Sequence, residues 1–227
     1  MDLFDGKTNE SHKEWFMRGV KIMVKQTVKQ RIIETALDLF QQKGYHGVSV
    51  DEIVEKAGTS KGGFYHNFKA KDALLYEIHD LFISYVLKET KVAYARYDSP
   101  IEKVCAMLYA FTNVFDLYQR HITVFYDESA YLPDGYKIII KEKRTEYRKL
   151  IEQVIEDGKK SGHFRSDIST TITTMAIIGV VNWTYKWYKQ NGKLSMEQIT
   201  VYFNDIILRG ICTEQGYEEA LGKNHLI

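Results

Sequence analysis

Apolar residues recur with helical spacing along most of the chain, and no stretch alternates between apolar and polar residues as a half-buried strand would. The first clear segment carries one apolar stripe, made of Val28, Ile32, Ala36, Leu39 and Phe40. This spacing is typical of an amphipathic helix. Lys43-Gly44 ends the segment, because glycine readily adopts the left-handed conformation that follows a helix.

Two short helices are predicted next. Ser49-Val50-Asp51-Glu52 has the pattern of a capping box, and it predicts a helix from Val50 to about Lys56 that Gly58 stops. Thr59 or Ser60 then caps a third, very short helix that runs through Tyr65. Glycine in a tight turn lets the second helix cross the first, so the connection Ala57-Gly58-Thr59-Ser60 indicates a helix-turn-helix.

The remainder of the chain is also predicted to be helical. The expected segments are a long helix from Lys71 or Asp72 to about Tyr97, a helix opened by Pro100, a short segment over 122–131, an amphipathic helix from Pro133 to about Lys160, a helix over 168–188 and a helix capped by Ser195. The helix over 168–188 is apolar almost all round, so it must be covered on most sides. We therefore expect an all-α chain of about nine helices, with a frayed polar tail over 214–227.

Composition narrows the class of protein. The chain has 227 residues, of which 44% are hydrophobic and 27% are charged, as in ordinary globular proteins. The longest apolar run, Met175–Val181, is far shorter than the roughly 20 residues of a membrane-spanning helix. The acidic start does not resemble a signal peptide, and Cys105 and Cys212 form no CxxC pair. We expect a cytoplasmic protein with no membrane segment and no metal site.

The distribution of charge is more informative than the net charge of +1. Seven basic residues lie between Lys7 and Arg31, and only Glu10 and Glu14 oppose them. This basic segment is either a solvated tail or an arm that contacts phosphates. Residues 1–24 are poorly patterned, and we treat them as an N-terminal extension that is either flexible or outside the native reading frame.

Residues 27–73 resemble the DNA-binding domain of the TetR family of bacterial transcriptional repressors. The matching pattern is Ile33-x-x-Ala36-x-x-Leu39-Phe40, Gly44-Tyr45, Ser49-Val50-x-x-Ile53 and Ala57-Gly58-x-Ser60-Lys61-Gly62-x-Phe64-Tyr65-x-x-Phe68-x-x-Lys71. One departure is Gly63, where the family more often has threonine, serine or alanine; glycine there removes a side chain that reads bases.

The resemblance implies a set of DNA-contacting residues: Ser49, Thr59, Ser60, Lys61, Gly62, Gly63, Tyr65, His66 and Lys71. Lys61 and Gly62 lie where groove contacts occur in the family, whereas Tyr65, His66 and Lys71 resemble backbone-phosphate contacts. Ser49 and Ser60 are expected to cap their helices whatever else they do. Phe64 and Phe68 are expected to be core residues.

The same resemblance implies the architecture and the partners. Residues 25–72 would form a three-helix DNA-binding head, and residues 73–213 a helical body that senses a ligand and dimerises. Two subunits would pack their eighth and ninth helices as a four-helix bundle, because those helices carry the most apolar surface. A two-fold dimer implies a palindromic double-stranded operator with half-sites ~34–36 Å apart.

A second pattern, Asn182-Trp183-x-Tyr185-x-Trp187-Tyr188-x-x-x-Gly192-x-Leu194-Ser195, resembles a TetR subgroup that controls fatty-acid or sterol-ring breakdown and responds to acyl-coenzyme A thioesters. No other cofactor is expected. An acyl tunnel would be lined by Met107, Phe111, Phe115, Phe125, Arg144, Met175, Ile178, Asn182 and Trp183. Arg120, Arg144, Arg148 and Lys186 are candidates for the phosphates of a long-chain thioester. The same apolar residues also suit an ordinary core.

Other functions remain as alternatives. A regulator of a drug-efflux pump would sense lipophilic cations and needs an acidic residue in its pocket, for which Asp127 or Glu128 would have to turn inward. An enzyme is disfavoured, since the chain has no GxSxG, P-loop, GxGxxG or HExxH motif and its histidines lack metal-ligand spacing. A helical scaffold without DNA binding would require the helix-turn-helix to be vestigial.

Overall fold

The computed structural model describes residues 26–226. The predictions made for residues 1–24 therefore concern a segment outside the described residues. Within them the chain forms ten α-helices and one turn of 3₁₀-helix (Ser129–Tyr131). The helices are α1 Val28–Lys43, α2 Val50–Lys56, α3 Lys61–Asn67, α4 Lys71–Arg96, α5 Pro100–Leu117, α6 Gln119–Asp127, α7 Asp134–Lys160, α8 Thr170–Trp187, α9 Met196–Ile211 and α10 Glu214–Gly222. The all-α prediction is confirmed for this part of the chain, whose extended pairing is limited to one isolated bridge between Phe164 and Cys212.

The first three helices form a small head around a shared apolar centre. Phe40 from α1, Ile53 from α2 and Phe64 from α3 are each at most 1% exposed. Gly44 and Gly58, which follow α1 and α2, have φ values of 69° and 60°. Residues that carry a side chain rarely adopt this left-handed backbone conformation, so glycine is required at both turns.

α4 belongs to both halves of the molecule. It begins in the head at Lys71 and ends at Arg96, a span of about 39 Å at 1.5 Å per residue. Along the body it packs against α5, α6 and α7, and near its start it contacts α1. The buried residues of head and body form one continuous cluster, so the two halves share an apolar core.

The expected frayed tail is wrong, because residues 214–222 form α10. The Thr213 hydroxyl accepts a hydrogen bond from the Gly216 backbone and caps the helix. Ala220 is fully buried, and Lys223 pairs with Glu102 of α5 at 2.8 Å. Long-range contacts therefore order a segment whose own sequence is polar.

Residues 26–226 contain no helix that is both long and apolar enough to cross a membrane. No group of three or more histidine, cysteine or acidic side chains in that range is arranged to hold a metal ion.

Candidate DNA-binding and effector sites

The two serines of the helix-turn-helix cap their helices. Ser49 Oγ accepts from the Glu52 backbone N–H at 3.1 Å, and Ser60 Oγ accepts from the Gly63 N–H at 3.1 Å. Both residues are exposed. Their hydroxyls therefore help to fix the starts of α2 and α3 and also lie on the outer surface of the head.

The outer face of α3 presents polar side chains to solvent. Lys61, Tyr65 and His66 are exposed, and Tyr65 is 55% accessible, whereas Phe64 is buried. Lys61 Nζ lies 2.7 Å from Asp51 Oδ1, and this carboxylate raises the pKa of Lys61. The lysine is therefore cationic at physiological pH, and a phosphate or base edge would compete with Asp51 for it.

Gly63 lies directly against the Thr59 side chain. A Cβ on Gly63 would collide with Thr59 Oγ1, so a larger residue there requires the threonine hydroxyl to rotate. The departure of Gly63 from the family pattern and the position of Thr59 are thus linked. Both residues, together with exposed Gly62, lie at the start of α3.

Lys71 ties the start of α4 to the head. Its ammonium donates to the carbonyls of Tyr45 at 2.8 Å and Val48 at 2.7 Å, and it lies 4.1 Å from the centre of the Tyr45 ring. Burial lowers the pKa of Lys71 below its ordinary value. Two of its three N–H donors serve the head's own backbone, which leaves one for a DNA phosphate.

The body contains a cavity of about 280 Å³ between α4, α5, α6, α7 and α8. This volume lies just below the roughly 300–1,000 Å³ usual for ligand pockets. The lining residues are Phe82, Ile83, Val86, Phe111, Phe125, Tyr126, Lys141, Arg144, Thr145, Tyr147, Arg148, Met175, Ile178 and Asn182. Most of these are apolar or aromatic, so the interior suits an apolar ligand.

Basic residues of α7 stand at one side of this cavity. Lys141, Arg144 and Arg148 all line it, and Arg144 lies 5.2 Å from the centre of the Phe125 ring. Arg148 is 3.4 Å from Glu152, but no carboxylate of the described residues is within ion-pair distance of Lys141 or Arg144. Among residues 26–226, no aspartate or glutamate lines the cavity. The local field therefore favours an anion.

The six predicted ligand residues that line the cavity are Phe111, Phe125, Arg144, Met175, Ile178 and Asn182. Met107, Phe115 and Trp183 do not line it. Met107 borders a second, much smaller void, Phe115 is 1% exposed inside the core, and Trp183 is 64% exposed on the outside of α8. A helical stripe shows which residues face inward, but not which of them meet a void and which meet a neighbour.

Sequence reasoning missed the wall that α4 provides. Phe82, Ile83 and Val86 are buried at helical spacing, and they line the cavity on the helix that also enters the head. The signal that could have found them is the apolar spacing of Phe82, Ile83 and Val86 along α4. Tyr126 and Tyr147 were also missed.

Two other predicted phosphate ligands are engaged elsewhere. Arg120, at the start of α6, forms ion pairs with Glu34 and Asp38 of α1, the latter at 2.6 Å. Lys186 lies 3.7 Å from Asp127. Neither basic residue lines the cavity.

Histidine contributes little charge near the cavity. His79 is fully buried on α4, its ring 5.1 Å from that of Phe125, and its Nδ1 donates to the Leu75 carbonyl at 2.9 Å. Burial lowers the pKa of His79 to about 4, although backbone carbonyls oppose the shift. The ring is therefore neutral at physiological pH.

An exposed apolar face covers neighbouring sides of α8 and α9. We call it the α8/α9 face, and its members are Ile172, Met175, Val180, Trp183, Trp187, Val201, Tyr202 and Ile206, each between 37% and 69% exposed. The sequence predicted that α8 would be covered on most sides. In the single chain this side is open.

Two family models match this chain. Residues 32–78 match the model "Bacterial regulatory proteins, tetR family", and residues 97–211 match "Tetracyclin repressor-like, C-terminal domain". The HTH-type transcriptional repressor KstR2 of Mycolicibacterium smegmatis is 26% identical over 193 residues, which cover 85% of this chain and 94% of the relative.

Solved structures show the same fold. The ketosteroid transcriptional regulator KstR2 of Mycobacterium tuberculosis aligns with a TM-score of 0.76 and 21% identity over 84% of this chain and 98% of that chain. AibR in complex with isovaleryl coenzyme A and operator DNA aligns with a TM-score of 0.67 and 24% identity over 77% and 94%. The chain belongs to the TetR family and is a ligand-responsive, DNA-binding transcriptional repressor, not an enzyme.

Proposed function

We propose that the effector is an acyl-coenzyme A and that its binding releases a homodimer from a palindromic operator in the bacterial cytoplasm. The observation that carries this proposal is the cavity, which joins an apolar interior to a basic rim in which Lys141 and Arg144 have no ion-pair partner among the described residues. An acyl thioester has the same two parts, an apolar acyl group and a polyanionic nucleotide.

The interior is suited to the acyl group. Phe82, Val86, Phe111 and Phe125 are all nearly inaccessible to solvent, and they come from three helices. Met175 adds a flexible thioether, which adapts to ligands of varied shape. An apolar group that enters this space leaves water without displacing charged side chains.

The rim is suited to the phosphates. Lys141, Arg144 and Arg148 are spaced by three and four residues on α7, so they share one face of the helix. Arginine binds phosphate oxygens through paired N–H donors, and such charge-assisted bonds are stronger than neutral ones. No carboxylate of the described residues lies within ion-pair distance of Lys141 or Arg144.

Relatives lend support from outside the chain. AibR has been solved with isovaleryl coenzyme A and operator DNA, and KstR2 is named for ketosteroid regulation. Both agree with a lipid-related thioester, although neither identifies the acyl group for this chain. The cavity volume favours a compact acyl group over the long chain that the sequence suggested.

The alternative effector, a lipophilic cation sensed by an efflux-pump regulator, lacks its acidic partner in the cavity. Asp127 pairs with Lys186 at 3.7 Å. Glu128 lies beside Gly44, close to the head. A cation in the cavity would instead meet Arg144.

The α8/α9 face supports the proposed homodimer. Its eight large apolar side chains would be buried if α8 and α9 of two subunits packed as a four-helix bundle. Exposed apolar patches of this kind usually mark protein interfaces. A two-fold pair of heads then suits half-sites ~34–36 Å apart on DNA.

The proposed mechanism is a shift between two populations of the dimer. α4 supplies cavity residues Phe82 and Val86, and its first residue Lys71 holds the head. A ligand that fits better when α4 is displaced favours dimers whose heads no longer match the operator. A coupling of ~1–3 kcal/mol corresponds to roughly 5–150-fold weaker DNA binding.

The test is operator binding, measured by fluorescence anisotropy on DNA selected from a random pool, with increasing octanoyl-coenzyme A. We expect the thioester to release the wild-type protein. In the double variant Arg144→Gln/Arg148→Gln the required thioester concentration should rise at least roughly 10-fold, since each lost charge-assisted bond is worth about 1.5–3 kcal/mol. Lys149→Gln, on another face of α7, is the matched control and should behave as wild type. Unchanged release in the double variant would contradict the phosphate role of the rim.

A further inference from the structure

Tyr147 is the one cavity tyrosine of the described residues whose hydroxyl has no hydrogen-bond partner there. The side chain projects inward from α7, is 5% exposed and packs edge-on against Phe111 at 5.5 Å. The protein does not enclose this unpaired oxygen completely, so the oxygen borders accessible space. Tyr147 lines both the cavity and the second void of about 10 Å³, and only the cavity has room for a ligand, so we infer that the hydroxyl borders the cavity interior.

The other tyrosine of the cavity shows the contrast. Tyr126 donates to Asn182 Oδ1 at 2.7 Å and stacks on Tyr185, with ring centres 4.2 Å apart. Buried phenols usually find such a partner, because an unpaired buried hydroxyl is unfavourable. Burial raises the pKa of Tyr147 above its ordinary value, so its hydroxyl is neutral and available as a donor at physiological pH.

The size of the cavity limits what Tyr147 can meet. A cavity of about 280 Å³ is just below the roughly 300–1,000 Å³ usual for ligand pockets, so it favours a compact acyl group. Because Tyr147 lines the same space, an oxygen of such a group can come within reach of its hydroxyl. Thr145, which also brings a hydroxyl to the lining, is half-buried and more exposed than Tyr147.

We propose that Tyr147 donates a hydrogen bond to an oxygen on the acyl part of the effector, so that the cavity selects compact oxygenated acyl thioesters over saturated ones. The proposal rests on the proposed function, because it assumes that the acyl group occupies this cavity. It adds the chemical class of that group: an acyl chain or ring bearing a carbonyl or hydroxyl oxygen.

The test is calorimetric titration of the full-length protein with octanoyl-coenzyme A, its β-keto derivative and its terminally hydroxylated derivative. The wild type should bind at least one oxygenated thioester roughly 2- to 12-fold more tightly than the saturated one, the range for one neutral hydrogen bond. Tyr147→Phe keeps the ring and removes only the hydroxyl. It should abolish this preference and leave the affinity for octanoyl-coenzyme A unchanged.

Tyr94→Phe is the matched control, since Tyr94 does not line the cavity and its hydroxyl donates to Asp157 at 3.2 Å, and it should keep the preference. A wild type that binds all three thioesters equally, or a Tyr147→Phe variant that keeps the preference, would overturn the role of Tyr147 but not the proposed function. If none of the thioesters binds the wild type, the proposed function fails and the role of Tyr147 fails with it.

Discussion

At the scale of single residues, two lysines of the predicted DNA surface differ in what they touch. Lys61 is exposed on α3 and pairs only with a surface carboxylate, Asp51, in an ion pair of the kind that contributes little to stability. Lys71 instead bonds two backbone carbonyls inside the head. Its side chain thus has a structural role in addition to the predicted contact with phosphate.

We expect Lys71→Ala to weaken binding to every DNA sequence and to lower the slope of log affinity against log salt concentration by about one, as the loss of one phosphate contact requires. It should also lower thermal stability, because the Tyr45 and Val48 carbonyls lose their donor. Anisotropy titrations across salt concentrations and a melting curve measure the two effects separately. Lys88→Ala, an exposed lysine in the body part of α4, is the control. An unchanged salt slope in Lys71→Ala would show that the residue is structural only.

At the scale of elements, α6 connects the cavity to the head. Its Phe125 and Tyr126 line the cavity, while Arg120 at its start forms ion pairs with Glu34 and Asp38 of α1. The Gln41 amide of α1 also donates to the Arg120 carbonyl at 3.4 Å. A displacement of α6 by a ligand would therefore act on α1 as well as on α4.

Arg120→Ala should weaken this connection. We expect the ratio of operator affinities without and with octanoyl-coenzyme A to fall toward one, while ligand binding itself is retained. Faster hydrogen exchange of α1 amides would report the loosened contact in the absence of ligand. The control is Arg165→Ala, which removes an ion pair with Asp167 at 2.8 Å in the connection between α7 and α8. If the ratio and the exchange rates match those of the wild type, α6 does not act through Arg120.

The elements also show what the sequence could and could not predict. The bounds of α1 and α2 followed from apolar periodicity and local caps, because those signals lie within each segment. α10 did not, since its order depends on the distant partner Glu102 and on the burial of Ala220. The cavity was predicted in part, because Phe111 and Phe125 face inward as expected. Trp183 was expected in the acyl tunnel but is 64% exposed on α8, since a pattern cannot distinguish a face that meets a cavity from one left open on the surface.

At the scale of the whole molecule, the single chain leaves the apolar α8/α9 face open to solvent. Eight large apolar side chains are exposed on two adjacent helices. Gly179 of α8 and Gly210 of α9 have open space at their missing side chains, so a second backbone can approach closely. Both observations agree with the proposed homodimer.

Ile206→Asp should separate the subunits. Ile206 is 63% exposed in the single chain, so the change should leave the fold intact, but it would place a carboxylate inside the proposed apolar interface. Sedimentation should then show a monomer with wild-type helical content, and affinity for a palindromic operator should fall sharply. Leu221→Asp, at a similarly exposed position on α10, should stay dimeric. A dimeric Ile206→Asp variant would place the interface elsewhere.

Thermal unfolding is the simplest measurement of whether the protein binds an acyl-coenzyme A. The protein would be melted alone and with octanoyl-coenzyme A, free octanoate or a cationic dye, each at the same concentration. A hundredfold excess over Kd adds about 2.7 kcal/mol to the stability of the native state. For a chain of this length that is a rise of roughly 5–10 °C in Tm. We expect this rise with octanoyl-coenzyme A and little or none with free octanoate or the dye. A rise with the dye alone would contradict the proposed acyl-coenzyme A effector and favour a sensor of lipophilic cations.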